Sequence, residues 1–484
     1  MKQTFSESQF AETLSKLEKP SEIINAAPLA AAAARTPVHV VYGGAHLFRR
    51  DTPKKLSRLA IQSLDAFAPD FVSFATAMWL KGADALPQFP DVIADFECQL
   101  SAAAETVKAR DYNAWFAWTI YRRVREKLIS EAVEDFRIDF EDGYGLRRDA
   151  EEDAHAVSAS AELAAARQEG TNTPFCGFRI KSLAPETRRR AVRTLDLFLT
   201  NLLDKTDGNL PENFVVTLPK IACVEEVEVL ADLLGDFEKQ TSLHENSIKI
   251  EIMIETPQSI VNEKGEIILR KLVEAGRNRV VAAHFGAYDY TASLGIAAEH
   301  QHLRCEAGNF ARQLMQISLA PLGVRLADSV TIEMPVALHK GVELTEKQKA
   351  ENRRAVYKAW RTHFNNVTHS LINGFYQSWD LHPAQLPARY AAVYSFFLES
   401  KDSSARRLKG FIEKATQANL TGNTFDDAAS AQGLLNFFLR ALSCGAMSAR
   451  EIYEATELCE NEIRNASFAE IMKSRAANSS TSRF

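Results

Sequence analysis

Short apolar runs alternate along the chain with longer segments of helical periodicity. The clearest run is IKIEIMIE, in which isoleucines occupy every second position of residues 248–254, while Lys249, Glu251, Met253 and Glu255 take the opposite face of a strand. Eight runs of strand type occur, each followed by enough residues for a helix. They are residues 38–42, 136–140, 175–180, 214–218, 248–254, 280–285, 329–332 and 377–381. This rhythm predicts an α/β fold in which eight parallel strands close a (β/α)8 TIM barrel.

Two long segments depart from this rhythm. Residues 44–134 contain several amphipathic stretches and are too long for one crossover helix, so we expect a helical insertion after the first strand. Strand signals stop after residue 395. The barrel is therefore assigned to residues 37–395. It is expected to lie between an N-terminal helical arm at 1–36 and a C-terminal helical lid domain at 396–484 that ends in a disordered tail.

Composition narrows the class of protein. The 484 residues are 46% hydrophobic and 25% charged, as in soluble globular proteins, and the net charge of −6 argues against a nucleic-acid partner. The only early apolar stretch, residues 26–34, is too short to span a bilayer, so no membrane partner is expected. The six cysteines lie far apart without a CxxC pair, which indicates neither a disulfide framework nor a zinc ribbon. We therefore expect a cytoplasmic protein.

Ionisable side chains lie at the ends of most of the predicted strands. In a parallel barrel these carboxyl ends form the open face on which the chemistry takes place. Glu255 ends the fifth strand and Asp289 follows the sixth, so two carboxylates are expected at neighbouring strand ends. Such a pair can hold one hard divalent cation, Mg²⁺ or Mn²⁺, and leave its other positions to waters or a substrate. The other strand-end residues are Asp139, Glu141, Arg179, Lys220 and His382.

Four of these residues also have a purely structural interpretation. Glu255 could cap the helix that follows it, and Asp289 could begin a turn. Lys220 could pair with a substrate carboxylate or with an acid inside the barrel such as Asp139. For His382, which precedes a proline, we favour a role in fixing a loop.

The order of the strand-end motifs resembles that of a superfamily of magnesium-dependent barrels. This superfamily includes citrate lyase β subunits, 2-oxo-acid aldolases of the HpcH/HpaI type, malyl-CoA lyases and malate synthases. Ordered co-occurrence of several motifs is far more specific than any one of them. The motifs are DFED at 139–142, FRI with Arg179, LPK at 218–220, IET with Glu255, FGAYDYTASLG at 285–295 and LHPAQ at 381–385.

The resemblance implies roles for these residues. Glu255 and Asp289 would be the metal ligands, Asp139 and Glu141 would hold the waters of the metal, and Arg179 would contact a 2-oxo acid.

Two later segments resemble malate synthases more closely. They are GFYQSWDLHP at 374–383 and FDDAASAQGLLNFF at 425–438. The second resembles the helical stretch that contains the catalytic aspartate of malate synthases. This resemblance implies that Asp427 is a general base. In the alternative interpretation, Asp426 and Asp427 lie in the first turn of a helix, where acids complement the helix dipole.

Taken together, these features imply an enzyme that makes or breaks a carbon–carbon bond. It would join or separate a 2-oxo acid (glyoxylate, pyruvate or oxaloacetate) and the enolate of an acyl-CoA or a carboxylate, so a CoA thioester is a candidate substrate. One alternative is a 2-hydroxy-4-oxo-acid aldolase that uses no CoA. Another is a non-catalytic barrel that binds a metabolite, although such a barrel is expected to lose Glu255, Asp289 or Arg179. The acyl donor, the favoured direction and homo-oligomerisation stay open.

Overall fold

The computed structural model describes residues 34–413, 419–421, 424–426 and 428–465, with the single positions 15, 468 and 471. Most of the predicted N-terminal arm and the predicted tail lie outside the described residues, as does Asp427. Between 414 and 429, only the backbone of 419–421, 424–426, 428 and 429 is described.

Eight parallel strands close a barrel in chain order, and the eighth strand pairs with the first. This confirms the predicted fold class. The strands are β1 (His39–Gly44), β2 (Asp135–Asp139), β3 (Phe175–Arg179), β4 (Phe214–Leu218), β5 (Lys249–Ile254), β6 (Val280–Phe285), β7 (Arg325–Val330) and β8 (Gln377–Asp380).

The predicted bounds of β4 and β6 are confirmed, whereas β7 begins four residues earlier than expected. The reason is that β7 contains buried polar residues, which hide its apolar pattern. Asp328, for example, accepts hydrogen bonds from Arg312 Nη1 at 3.0 Å and from Ser370 Oγ at 2.6 Å. The partners of such a polar residue lie in other elements and are not apparent from the local sequence. The residue is therefore predicted to lie in a loop.

Helices fill the connections between the strands. The predicted insertion between β1 and β2 is helical, as expected, and comprises the first four helices. The helices are α1 (Thr52–Phe67), α2 (Phe71–Met78), α3 (Pro90–Arg110), α4 (Tyr112–Glu131), α5 (Asp149–Gln168), α6 (Arg188–Lys205), α7 (Val224–Thr241), α8 (Leu269–Ala275), α9 (Ala287–Ser293), α10 (Glu306–Leu319), α11 (Glu346–Ile372), α12 (Leu386–Glu413), α13 (Ala428–Ser443), α14 (Ala449–Thr456) and α15 (Glu460–Asn465). No helix of the described residues is long and apolar enough to cross a membrane.

The chain divides into two compact units. One holds the barrel and consists of residues 37–315 and 326–400, and the other gathers residues 1–36, 316–325 and 401–484. The predicted boundary at residue 395 falls inside α12.

The second unit also contains a feature that the sequence analysis missed. β9 (Asn419–Thr421) and β10 (Thr424–Asp426) form an antiparallel pair after the point where strand signals were expected to stop. Each has three residues, too few for a period of two to be recognisable.

The predicted alternation of β5 decides what lies inside the barrel. Glu251 and Met253 point inward, and Glu251 pairs there with Arg137 of β2, whose Nη2 lies 2.7 Å from Glu251 Oε2. Arg137 also pairs with Asp135, and Thr217 Oγ1 of β4 donates to Glu251 Oε1 at 2.8 Å. The middle of the barrel is therefore a buried ionic layer, in which Glu251 of β5 is paired with Arg137 of β2 and with Thr217 of β4.

Candidate active site

Glu255 directly follows β5 at the carboxyl end of the barrel, which we call the mouth. Its side chain is buried, and its Oε1 accepts the backbone N–H of Lys220 at 2.6 Å. Glu255 does not cap the short 3₁₀ helix that follows, because Thr256 accepts the Ser259 N–H there. The structural alternative for Glu255 is therefore wrong, and the residue instead links the ends of β4 and β5.

Gly286, which follows β6, makes room for the Glu255 side chain. A Cβ atom on Gly286 would lie 2.5 Å from Glu255 Cβ and 2.6 Å from Glu255 Oε2, distances that two packed atoms do not adopt. Glycine therefore allows the ends of β5 and β6 to approach each other around the carboxylate.

Asp289 follows β6 and is electrostatically coupled to Glu255. It lies in the first turn of α9 and is half-buried. Its carboxylate makes no hydrogen bond or ion pair with any residue that the structure describes. Burial raises the pKa of Glu255 to about 8; the positive charge of Arg179 opposes this shift and the negative charge of Asp289 adds to it. Glu255 and Asp289 are thus electrostatically coupled, and no cation of the described residues forms an ion pair with either.

Arg179 ends β3 and is held by Asp139 at the end of β2. Its Nε and Nη2 donate to the two oxygens of Asp139 at 2.7 and 2.6 Å. Asp139 also accepts the backbone N–H groups of Glu141 and Gly143 at 3.0 and 2.7 Å. Burial alone would lower the pKa of the Arg179 guanidinium, but Asp139 and Glu141 outweigh it and raise the pKa above its usual value. Asp139 therefore fixes the plane of the guanidinium.

Glu141 and Lys220 form a bridge beside this pair. One oxygen of Glu141 contacts Lys220 Nζ, and the other lies 3.2 Å from Arg179 Nη1. Lys220 Nζ also donates to Asp142 Oδ1 at 2.8 Å. Of the alternatives for Lys220, pairing with an acid is observed, but its partners are Glu141 and Asp142 rather than Asp139. Burial raises the pKa of Glu141 despite the nearby Arg179.

The backbone of Lys220 is unusual as well. Its φ of +50° lies in the left-handed region, which a residue with a side chain rarely adopts. This conformation accompanies the short hydrogen bond from the Lys220 N–H to Glu255. Strain of this kind persists where the surrounding structure requires it, as it commonly does at functional sites.

Two aromatic residues that the sequence analysis missed complete the site. The rings of Tyr42 in β1 and Trp379 in β8 lie 4.1 Å apart, and the Arg179 guanidinium carbon lies 4.9 Å from the first ring and 5.5 Å from the second. The Tyr42 hydroxyl donates to Glu251 Oε1 at 3.0 Å. The sequence contained one signal for Trp379. It lies two residues from Gln377, which points inward, so the alternation of a strand places this large aromatic side chain on the inward face near the strand end.

His382 serves the structural role that we expected. Its Nδ1 accepts the Ala384 N–H at 3.1 Å and caps the short helix at Pro383–Gln385. A cavity of about 830 Å³ at the opposite, amino end of the barrel includes residues that precede strands, such as Val133, Thr173 and Glu212, and none of the predicted site residues lines it.

Comparison with known proteins assigns a family. The model of a family described as "Domain of unknown function (DUF6986)" matches residues 24–471. The chain belongs to this family. No curated protein matches the chain.

Solved structures that are similar to this chain include a citrate lyase, the protein CitE and a malate synthase. A citrate lyase from Burkholderia xenovorans LB400 is 17% identical, with 69% of this chain and 91% of that chain covered and a TM-score of 0.48. The protein CitE from Mycobacterium tuberculosis, in complex with magnesium, acetoacetate and coenzyme A, is 16% identical, with coverages of 67% and 95% and a TM-score of 0.43. A magnesium/glyoxylate complex of Haloferax volcanii malate synthase is 14% identical, with coverages of 72% and 92% and a TM-score of 0.42.

The donor set of this DUF6986 protein suits magnesium. Mg²⁺ is held by one or two carboxylates and keeps several waters or substrate oxygens, whereas a structural zinc site needs four protein ligands. Glu255 Oε2 and the Asp289 carboxylate accept no hydrogen bond from residues 34–413, so both can coordinate. Within the described parts of the chain, no cluster of three or more His, Cys, Asp or Glu residues could hold a metal. The assignment of Glu255 and Asp289 as Mg²⁺ ligands stays a prediction that their donor atoms fit.

Proposed function

We propose that this protein is a Mg²⁺-dependent carbon–carbon lyase or synthase that acts on a 2-oxo acid such as glyoxylate, pyruvate or oxaloacetate. The observation that carries the proposal is the pair of Glu255 and Asp289 near the buried Arg179. Two carboxylates without an ion-pair partner among the described residues lie near a guanidinium whose orientation is fixed. This combination suits a metal and an anionic ligand bound together.

A 2-oxo acid offers a carboxylate oxygen and the adjacent carbonyl oxygen for chelation. Bound Mg²⁺ would polarise that carbonyl. Arg179 keeps its charge at any working pH and would stabilise the negative charge that develops on the carbonyl oxygen during bond formation or cleavage. Because Asp139 holds Nε and Nη2, the Nη1 edge that Arg179 shares with Glu141 is the edge that would meet the ligand.

The direct test is a screen of candidate hydroxyacyl-CoA thioesters and hydroxy acids with the full-length protein. Release of glyoxylate, pyruvate or oxaloacetate is measured with Mg²⁺ and with excess chelator. We expect release that requires Mg²⁺. If no candidate is cleaved while a 2-oxo acid still binds, the non-catalytic metabolite-binding barrel replaces this proposal.

An enolate partner also requires a base, and we assign that role to Asp427 because of its motif. Loss of a positioned base lowers the rate by about 10²–10⁴, whereas loss of a first-turn carboxylate costs only about 0.3–1 kcal/mol of stability. Asp427→Asn should therefore lower kcat strongly and leave Mg²⁺ binding intact. Asp426→Asn, which removes the neighbouring acid at the end of β10 and not in the first helical turn expected for it, is the control. If both variants keep kcat within a few-fold of wild type, the 2-hydroxy-4-oxo-acid aldolase that uses no CoA becomes the better assignment.

A further inference from the structure

Carboxylates outnumber cations at the mouth of the barrel. Among the described residues, five acids lie there, and each contacts or is electrostatically coupled to Arg179, Lys220 or another of the acids: Asp139, Glu141, Asp142, Glu255 and Asp289. Two cations, Arg179 and Lys220, face them. With all groups ionised the net charge is minus three, and one divalent cation reduces it to minus one.

Both cations are already paired. Arg179 donates twice to Asp139 and contacts Glu141, and Lys220 Nζ contacts Glu141 and Asp142. Among the residues that the structure describes, no other lysine, arginine or histidine forms an ion pair with these five acids. One carboxylate of a ligand can therefore take the place of Glu141 on Arg179, but for a second carboxylate neither of the two cations that contact these acids in the described residues is unpaired.

Two further basic residues on these loops contact groups outside the five acids. Lys181, which follows β3, donates to the Phe140 carbonyl at 2.6 Å and lies 3.3 Å from Glu152. Arg147, which follows β2, contacts Glu151 at 2.6 Å. Neither side chain forms an ion pair with any of the five acids.

We propose that this mouth selects 2-oxo acids with a single carboxylate, of the glyoxylate or pyruvate type, against those with a second carboxylate, of the oxaloacetate type. This inference rests on the proposed function. A monoanion raises the negative charge of the metal-loaded mouth by one unit and uses the Arg179 edge. A dianion adds a second negative charge among Glu141, Asp142 and Asp289, where like charges repel at low local dielectric.

Binding to the Mg²⁺-loaded full-length protein tests this selection. Calorimetric titrations compare pyruvate, oxaloacetate and the 4-methyl ester of oxaloacetate, which has the size of oxaloacetate but one negative charge. We expect the ester and pyruvate to bind at least tenfold more tightly than oxaloacetate. Oxaloacetate binding as tightly as its ester would overturn the selection. Failure of all three compounds to bind, with or without Mg²⁺, would instead refute the proposed function.

A charge variant separates the local effect from the net charge of the protein. Asp142 is exposed and pairs with Lys220, so Asp142→Asn should release part of that lysine and narrow the preference for the ester over oxaloacetate at least threefold. Asp204→Asn removes the same charge in the last turn of α6 and should leave the preference unchanged. If the two variants give the same preference, the mouth charges do not select the ligand and the inference is wrong.

Discussion

Glu251 lies in β5, Glu255 directly follows the strand four residues later, and both are buried. For Glu251, burial alone would favour the neutral acid, but Arg137 and His284 outweigh it and hold the pKa well below its usual range. Glu255 has one backbone donor, from Lys220, and burial raises its pKa to about 8. The inner carboxylate is part of a balanced ionic layer, whereas the outer one has no ion-pair partner among the described residues.

The difference shows that one segment of chain can hold a carboxylate that stabilises the barrel and, four residues later, a carboxylate that is available to a ligand. Buried charges that are paired and hydrogen-bonded hold strands in register, and removing one partner leaves the other exposed to a large desolvation cost. An unpaired buried carboxylate destabilises the fold until a ligand supplies the missing charge. The two glutamates therefore lead to opposite expectations for substitution.

The largest expected effect is on catalysis at the mouth. Glu255→Gln or Asp289→Asn should lower kcat/KM by at least about 10³-fold, because a bound metal contributes several kcal/mol and about 1.4 kcal/mol corresponds to tenfold. For Glu255→Gln the melting temperature should stay the same or rise, since the ionised buried acid is unfavourable. Kinetics with Mg²⁺ titration and thermal unfolding measure both effects. Turnover within tenfold of wild type in both variants would contradict the metal site.

The inner glutamate should behave in the opposite way. Glu251→Gln leaves Arg137 with only Asp135 as an ionic partner, and we expect a loss of about 3–5 kcal/mol in the free energy of unfolding. Denaturant unfolding at neutral pH measures it, with Glu255→Gln, directly after the same strand, as the matched control. Equal destabilisation of the two variants would remove the contrast between the two layers.

A smaller effect is expected from the contact that shapes the mouth. In Gly286→Ala the new Cβ would meet the Glu255 side chain, so we expect a cost of about 1–3 kcal/mol together with weaker Mg²⁺ binding. Gly235→Ala is the control, because its Cβ would be no nearer than 3.5 Å to Arg279 Nη2 and it lies within α7. Calorimetric Mg²⁺ titration of both variants should show weaker binding in the first alone.

The smallest expected effect, counted per pH unit, is the change with pH in the folding stability of the metal-free protein. The folded pKa of Glu255, about 8, lies above its ordinary value of 4.5, so the folded state binds this proton more tightly. The resulting stabilisation is complete below about pH 4.5 and is lost as the pH rises to 8. Relative to Glu255→Gln, wild type should therefore lose at most about 1.4 kcal/mol per pH unit in that window. Parallel stability curves for the two proteins would show that the Glu255 pKa is not raised.

Glu251 gives the opposite sign in the same measurement. Its folded pKa is lowered, so its contribution is present above the ordinary value of 4.5 and is lost as the pH falls below it. Wild type and Glu251→Gln should therefore differ most at neutral pH and converge in acid.

Most of the barrel could be predicted because its signal is local. Alternation in IKIEIMIE assigns the inward face of β5, and a parallel barrel then places Glu255, Asp289 and Arg179 at one end. The prediction was least accurate where local signals are absent. β7 carries buried polar residues, and β9 and β10 are too short to show a period.

The sequence by itself determined the strand order, the side of β5 that faces inward, and the presence of acids and a guanidinium at the mouth, because these follow from periodicity and from the geometry of a closed parallel sheet. Only the tertiary structure decided which charge pairs with which. Lys220 contacts Glu141 rather than Asp139, and Tyr42 and Trp379 flank Arg179, through contacts between residues far apart in the chain. Such pairings depend on register and side-chain direction across strands, which no local pattern encodes.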